Sequence, residues 1–319
     1  MRKLSCTEPD NYSGLLFSDS AQKTFYGINS AAIMFQKIMA LIRTMRPMTW
    51  VSVVITILAG MMISLEDIPP LQDIICIAVL FPVFVLGYAN TLNMYTDYKI
   101  DEITRPYRAI PTGIIKKETV LYFSVFLLLG GIILSILVLN LFLSLFVIAG
   151  FILGTAYSVR PTRIKARGPL APLAIAAGYV FIPLVGSYLI YSPIDYPVLV
   201  IAAILTMQTA GASVSKDFID LKGDSALDVD TVPLTIGLRR ARLIVLSGLA
   251  VPLVLFPLLA WSKFLSVWFF LYVILVPWLG YIGYLTRKEH TYEKAYIHSF
   301  FFCAASILLS GIVYIGGIS

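Results

Sequence analysis

Charge is what this sequence has least of. Only 13% of its 319 residues are Asp, Glu, Lys or Arg, against about a quarter in an ordinary soluble domain, and 59% are hydrophobic. So few charges cannot cover a water-facing surface of this size, which excludes a soluble globular domain. Histidine is scarcer still. His290 and His298 have no acidic or cysteine ligands spaced around them, so they read as a solvated and an interfacial side chain. Three cysteines (Cys6, Cys76 and Cys303) lie too far apart for a metal motif or a disulfide framework. The first 30 residues lack the apolar core of a signal peptide and read as a poorly ordered tail.

What is present is apolar sequence in long blocks. Nine stretches free of Asp, Glu, Lys and Arg read as membrane spans: 47–64, 74–93, 120–139, 141–158, 170–190, 196–215, 244–261, 264–285 and 295–318. Pro82, Pro183, Pro252 and Pro277 fall inside them, which a helical bundle tolerates when neighbouring groups satisfy the freed backbone. The expected fold is all-α and polytopic, nine transmembrane helices around a central cavity, with residues 31–319 as one domain.

The basic residues orient that bundle. With the N-terminus in the cytoplasm, the cytoplasmic segments hold 23 of the 24 Lys and Arg, and only Lys263 lies opposite. The formal charge of +6 is therefore explained by topology, with no nucleic-acid partner implied. Ahead of the first span, Met34, Ile38, Leu41, Ile42 and Met45 fall on one helical face, as in a helix lying in the membrane interface.

Two cytoplasmic segments carry more polar chemistry than a connection needs. Asn93, Asp97 and Asp101 recur every fourth residue, which on a continuing helix puts three oxygen ligands on one face. Asp217, Asp220 and Asp224, closing the sixth span, also share a face. Hard oxygen donors stacked in this way suit Mg²⁺ that keeps some waters and completes its shell with phosphate oxygens. Two such faces at one membrane depth can clamp a diphosphate between them. Arg160, Arg163, Lys165 and Arg167 put four cations into eight residues, a ready partner for that diphosphate, and Arg108 follows the first acidic face. A secondary transporter is the reading from another class, but transporters bind near the midplane, and these span centres carry no charge.

These motifs together resemble the UbiA superfamily of intramembrane prenyltransferases. Asn93, Asp97 and Asp101 match its N-x-x-x-D-x-x-x-D pattern, and Arg105 to Gly113 match R-P-x-R-x-I-P-x-G. Lys216, Asp217, Asp220, Gly223 and Asp224 match K-D-x-x-D-x-x-G-D, followed by Thr231 and Pro233 of T-x-P. Tyr157, Ser158, Pro161, Arg163 and Lys165 match Y-S-x-x-P-x-R-x-K. Met94 stands where many members carry a further aspartate. The flanking residues look most like the chlorophyll synthase and digeranylgeranylglyceryl phosphate synthase branches.

The resemblance implies an enzyme that ionises an allylic diphosphate and delivers the prenyl group, of geranylgeranyl size, to a lipophilic acceptor in the membrane. Mg²⁺ would be held by Asn93, Asp97, Asp101, Asp217, Asp220 and Asp224. The diphosphate would meet Arg108, Tyr157, Ser158, Arg160, Arg163, Lys165 and Lys216. A membrane terpene cyclase on the same scaffold would use the same metals without an acceptor.

Overall fold

In the computed structural model, residues 19–139, 141–226 and 230–316 are described, with the side chains of 19–31, 76, 78, 104, 142, 222–224 and 226 outside the description. All regular structure among the described residues is helical. Among the described residues, eight stretches are long and apolar enough to cross a membrane. The fourth expected span is helical too (Leu141–Ser158), although its described apolar stretch, Leu143–Ser158, is shorter than those eight.

Helix α1 (Asp19–Thr44) begins inside the segment expected as a tail; no proline interrupts it, and residues 1–18 lie outside the described set. Its apolar residues divide between packing and exposure. Ala40 and Met45 are buried, Ala40 beside Ile115 and Val120, whereas Met34, Ile38 and Ile42 stay exposed. The domain takes one edge of the stripe, and the other is left for the membrane interface.

A left-handed residue, Arg46, turns the chain through Pro47–Thr49 into α2 (Trp50–Leu65). Then follow α3 (Leu71–Thr96), the short α4 (Tyr98–Thr104), α5 (Lys117–Val138), α6 (Leu141–Ser158) and α7 (Leu170–Tyr188). The second half holds α8 (Tyr196–Ser213), α9 (Asp217–Ala226), α10 (Val232–Ile236), α11 (Leu238–Trp261), α12 (Val267–Leu285) and α13 (Tyr292–Gly316). Proline shapes the spans without breaking them. Pro82 sits within a π-helical turn of α3 (Leu80–Leu86), and Pro183 follows one in α7 (Ala177–Phe181). Such turns absorb the hydrogen bond that a proline cannot donate.

Helix α2 separates two apolar cores. Val53, Ile57 and Met61 face α3, α5 and α6, while Ala59 and Ile63 face the core built with α7, α8 and α11 to α13. Lipid is as apolar as a leucine side chain, so burial alone does not hold helices together there, and close packing of small residues does. At the crossing of α8 and α11 a Cβ on Gly211 would stand 2.7 Å from the Gly248 Cα, so only glycine permits that approach.

Candidate active site

A cavity of about 210 Å³ runs into the bundle between α2, α3, α6, α7, α8 and α13. Asn93, Lys216, Arg46 and Tyr157 line its polar end, and Val85, Phe81 and Gly150 line it farther along the helices. Apolar walls with polar groups gathered at one end suit an amphiphile bound by its head.

The first acidic motif forms where α3 passes into α4. Asp97 leaves helical geometry (φ −100°, ψ 10°), yet the ladder continues through it, Asp97 N donating to Asn93 O and Asp101 N to Asp97 O. The three residues therefore follow one another as their spacing predicts, but across a kink. Lys165 gathers the first two: its Nζ lies 2.9 Å from Asn93 Oδ1, 2.6 Å from Asp97 Oδ1 and 3.1 Å from Thr96 Oγ1. Ser158 Oγ donates to Asn93 Oδ1 at 3.4 Å, and Arg163 Nη2 reaches Asp97 Oδ1 at 3.5 Å. Burial lowers the Lys165 pKa from a lysine's ordinary value, and the Asp97 carboxylate opposes that shift. Oxygens from three side chains thus converge on one cation, and an all-oxygen, part-anionic donor set fits Mg²⁺ chemically. Among the described residues no three carboxylate, histidine or cysteine groups cluster as a ready-made metal cage, so phosphate and water would supply the remaining ligands.

Asp101 is turned the other way. It is 1% exposed and accepts both its hydrogen bonds from Arg108 Nη1 at 2.7 Å. Arg105 then links the two motifs. Its Nη2 lies 2.5 and 2.6 Å from the two Asp220 oxygens, and its Nη1 stands 4.0 Å from Asp101 Oδ1. One guanidinium therefore spans residues from the two acidic segments, although Arg105 and Asp220 lie 115 positions apart in the chain. Asp220 and Asp217 open α9, and Lys216 beside them lies within the fields of Asp217, Asp220, Arg46 and Arg105. Asp224 continues α9, and its side chain is outside the described residues.

Of the residues expected around a diphosphate, Arg108, Ser158, Arg163 and Lys165 bond to the first motif, and Tyr157 and Lys216 line the cavity. Arg160 is exposed and makes no ion pair among the described residues. The left-handed turn at Arg163 (φ 32°) directs Arg163 and Lys165 toward Asp97 while Arg160 faces outward.

A sequence model of the UbiA prenyltransferase family matches residues 53–309. The chain belongs to the UbiA prenyltransferase family. The expected membership is thereby met. Chlorophyll synthase from Avena sativa is 28% identical over 216 residues, 64% of this chain and 56% of that protein, so the chain spans little more than half of that relative. Digeranylgeranylglyceryl phosphate synthase from Pyrococcus horikoshii is 29% identical over 209 residues, 64% of this chain and 72% of that protein. A UbiA homolog from Archaeoglobus fulgidus bound to DMAPP and Mg²⁺ shares the fold, with a TM-score of 0.60 at 16% identity over 86% of this chain and 99% of that one.

Several cavity residues of this UbiA-family chain lie outside the four matched motifs, although Arg46 opens the first span in an Arg-Pro pair that resembles the family. Arg46, Thr49, Asn90, Tyr179 and Tyr296 line the polar half. Asn90 Nδ2 donates to Met45 O at 3.0 Å and to Thr49 Oγ1 at 3.4 Å, tying α3 to the turn that carries Arg46. For the others, the only trace in sequence is polarity inside otherwise apolar spans, at Asn90 above all.

Proposed function

We propose that this chain is a Mg²⁺-dependent prenyltransferase that moves a geranylgeranyl-sized group from its diphosphate to a lipophilic acceptor and releases diphosphate. The observation that carries the reading is the Arg105 guanidinium held between Asp101 and Asp220, with Lys216, which lines the polar end of the cavity, in the field of Arg105 and Asp220. It supports a reading in which one diphosphate meets both acidic motifs. The name of the digeranylgeranylglyceryl phosphate synthases favours a donor of that size.

Asn93, Asp97, Asp101, Asp217, Asp220 and Asp224 are the proposed metal ligands, and bound Mg²⁺ would supply Lewis-acid neutralisation of the leaving group. In the chain as it stands, Lys165, Arg108 and Arg105 lie on those carboxylates. On binding, these cations exchange carboxylate for phosphate oxygens, keeping each charge paired throughout. Arg163 and Lys216 extend the cationic wall against the diphosphate as the allylic C–O bond breaks. The apolar lining excludes water, which would otherwise capture the allylic cation before the acceptor does. The polar end faces the cytoplasm in this reading, on the side favoured by the basic residues.

Purified protein in lipid nanodiscs, given labelled geranylgeranyl diphosphate, Mg²⁺ and a panel of lipophilic acceptors, is expected to form a prenylated product and free diphosphate. Chelation of divalent metal is expected to stop both. A cyclic hydrocarbon formed without acceptor, or turnover indifferent to chelation, would refute the proposal as stated.

A further inference from the structure

Beyond the main cavity a second, apolar one of about 30 Å³ continues along the same four helices, α2, α3, α6 and α7. On α3 the lining passes from Asn90 and Val85 to Ile77, and on α6 from Gly154 to Val147. Among described residues, Phe81 alone lines both cavities. It is 6% exposed, and its ring reaches α6 where Gly150 leaves room: a Cβ there would stand 3.3 Å from Phe81 Cζ. Both π-helical turns lie at this junction, Leu80–Leu86 carrying Phe81 and Ala177–Phe181 opposite it on α7. Such turns recur where a helix presents a side chain for function.

We infer that Phe81 is the floor of the prenyl-binding chamber and sets the length of chain the enzyme accepts, with the cavity beyond it as a subsite for one further isoprene unit. The inference rests on the prenyl-donor reading above. From Asn93 to Phe81, α3 rises roughly 18 Å at helical pitch. Carbon–carbon bonds of about 1.5 Å give an isoprene unit roughly 5 Å of extended length. A four-unit chain with its head at Asn93 therefore brings its last unit against the Phe81 ring. A fifth unit needs the space that the ring closes.

The test is kcat/KM for farnesyl, geranylgeranyl and five-unit diphosphates, measured on the wild type and on Phe81→Ala, Phe81→Leu and Phe81→Trp. Removing a contact the size of one alkyl group shifts discrimination by tens of fold. Phe81→Ala is expected to raise the ratio of five-unit to four-unit kcat/KM by at least about tenfold. Phe81→Leu should shift it less in the same direction, and Phe81→Trp should move the preference toward farnesyl. Val147→Phe, which fills the far cavity, should cancel the Phe81→Ala gain. Thermal melting identifies any variant that fails to fold, and the opposite shifts of the Leu and Trp variants carry the test without Phe81→Ala. Chain-length profiles that match the wild type in every folded Phe81 variant would overturn the inference. No transfer from any donor by the wild type would instead overturn the prenyl-donor reading beneath it.

Discussion

Replacing Asp97 by asparagine is expected to lower kcat/KM for prenyl transfer by roughly a thousandfold while the protein still folds, on the scale of losing one preorganised electrostatic group. Asp97 is 14% exposed and holds Lys165 Nζ at 2.6 Å and Arg163 Nη2 at 3.5 Å. Removing its charge deprives a bound metal of an anionic ligand and leaves the buried ammonium with only neutral oxygens from Asn93, Thr96 and the new amide. Asparagine keeps the shape of the side chain, so the loss falls on chemistry more than on packing. Adding Lys165→Gln to Asp97→Asn is expected to cost much less than the two single losses combined, because the pair acts as a unit. Steady-state rates and melting temperatures on the three variants check this. An active Asp97→Asn enzyme would remove Asp97 from the site.

Arg105→Met should have the second largest effect. Arg105 contributes a two-oxygen contact to Asp220 and lies at 4.0 Å from Asp101, so its loss frees α9 from α4 and leaves Asp220 without its guanidinium. Both side chains are nearly a quarter exposed, 23% and 22%, so solvent screens the pair and the expected stability cost is only about 1–2 kcal/mol. Activity is expected to fall by on the order of a hundredfold, because the two segments proposed to bind metal are no longer held together and must be ordered in each catalytic cycle. Arg105→Lys keeps the charge but lacks the planar fork, and is expected to recover only a small part of the loss. A drop in melting temperature with kcat/KM unchanged would make the bridge structural alone.

The spacing of Asn93, Asp97 and Asp101 was legible because a helical ladder does pass through them. The kink at Asp97 was not, since nothing local forbids the helix there and the loop beyond pulls Asp101 toward Arg108. The apolar spans were legible from composition, because a bilayer core tolerates little else. Their π-helical turns were not, although Pro82 and Pro183 mark where backbone bonding must change. Sequence put Arg160, Arg163 and Lys165 into one cationic group, but a left-handed residue at Arg163 sorts them between site and surface. Arg105 read as part of a loop motif because its partner Asp220 is 115 residues away, and pairing at that distance is set by the packing of whole helices. The packing of α1 through Ala40 was not legible for a similar reason: its contact with Ile115 and Val120 depends on where α5 begins.

The central claim is that two acidic segments act as one metal–diphosphate site. Anomalous diffraction from crystals soaked with Mn²⁺ and an unreactive prenyl diphosphate analogue tests it most directly. The account predicts manganese peaks bonded to Asp97 and to Asp217 or Asp220, with the diphosphate between them and Lys165 and Arg108 moved onto its oxygens. Manganese bound elsewhere, or a diphosphate touching only one of the two segments, would contradict it.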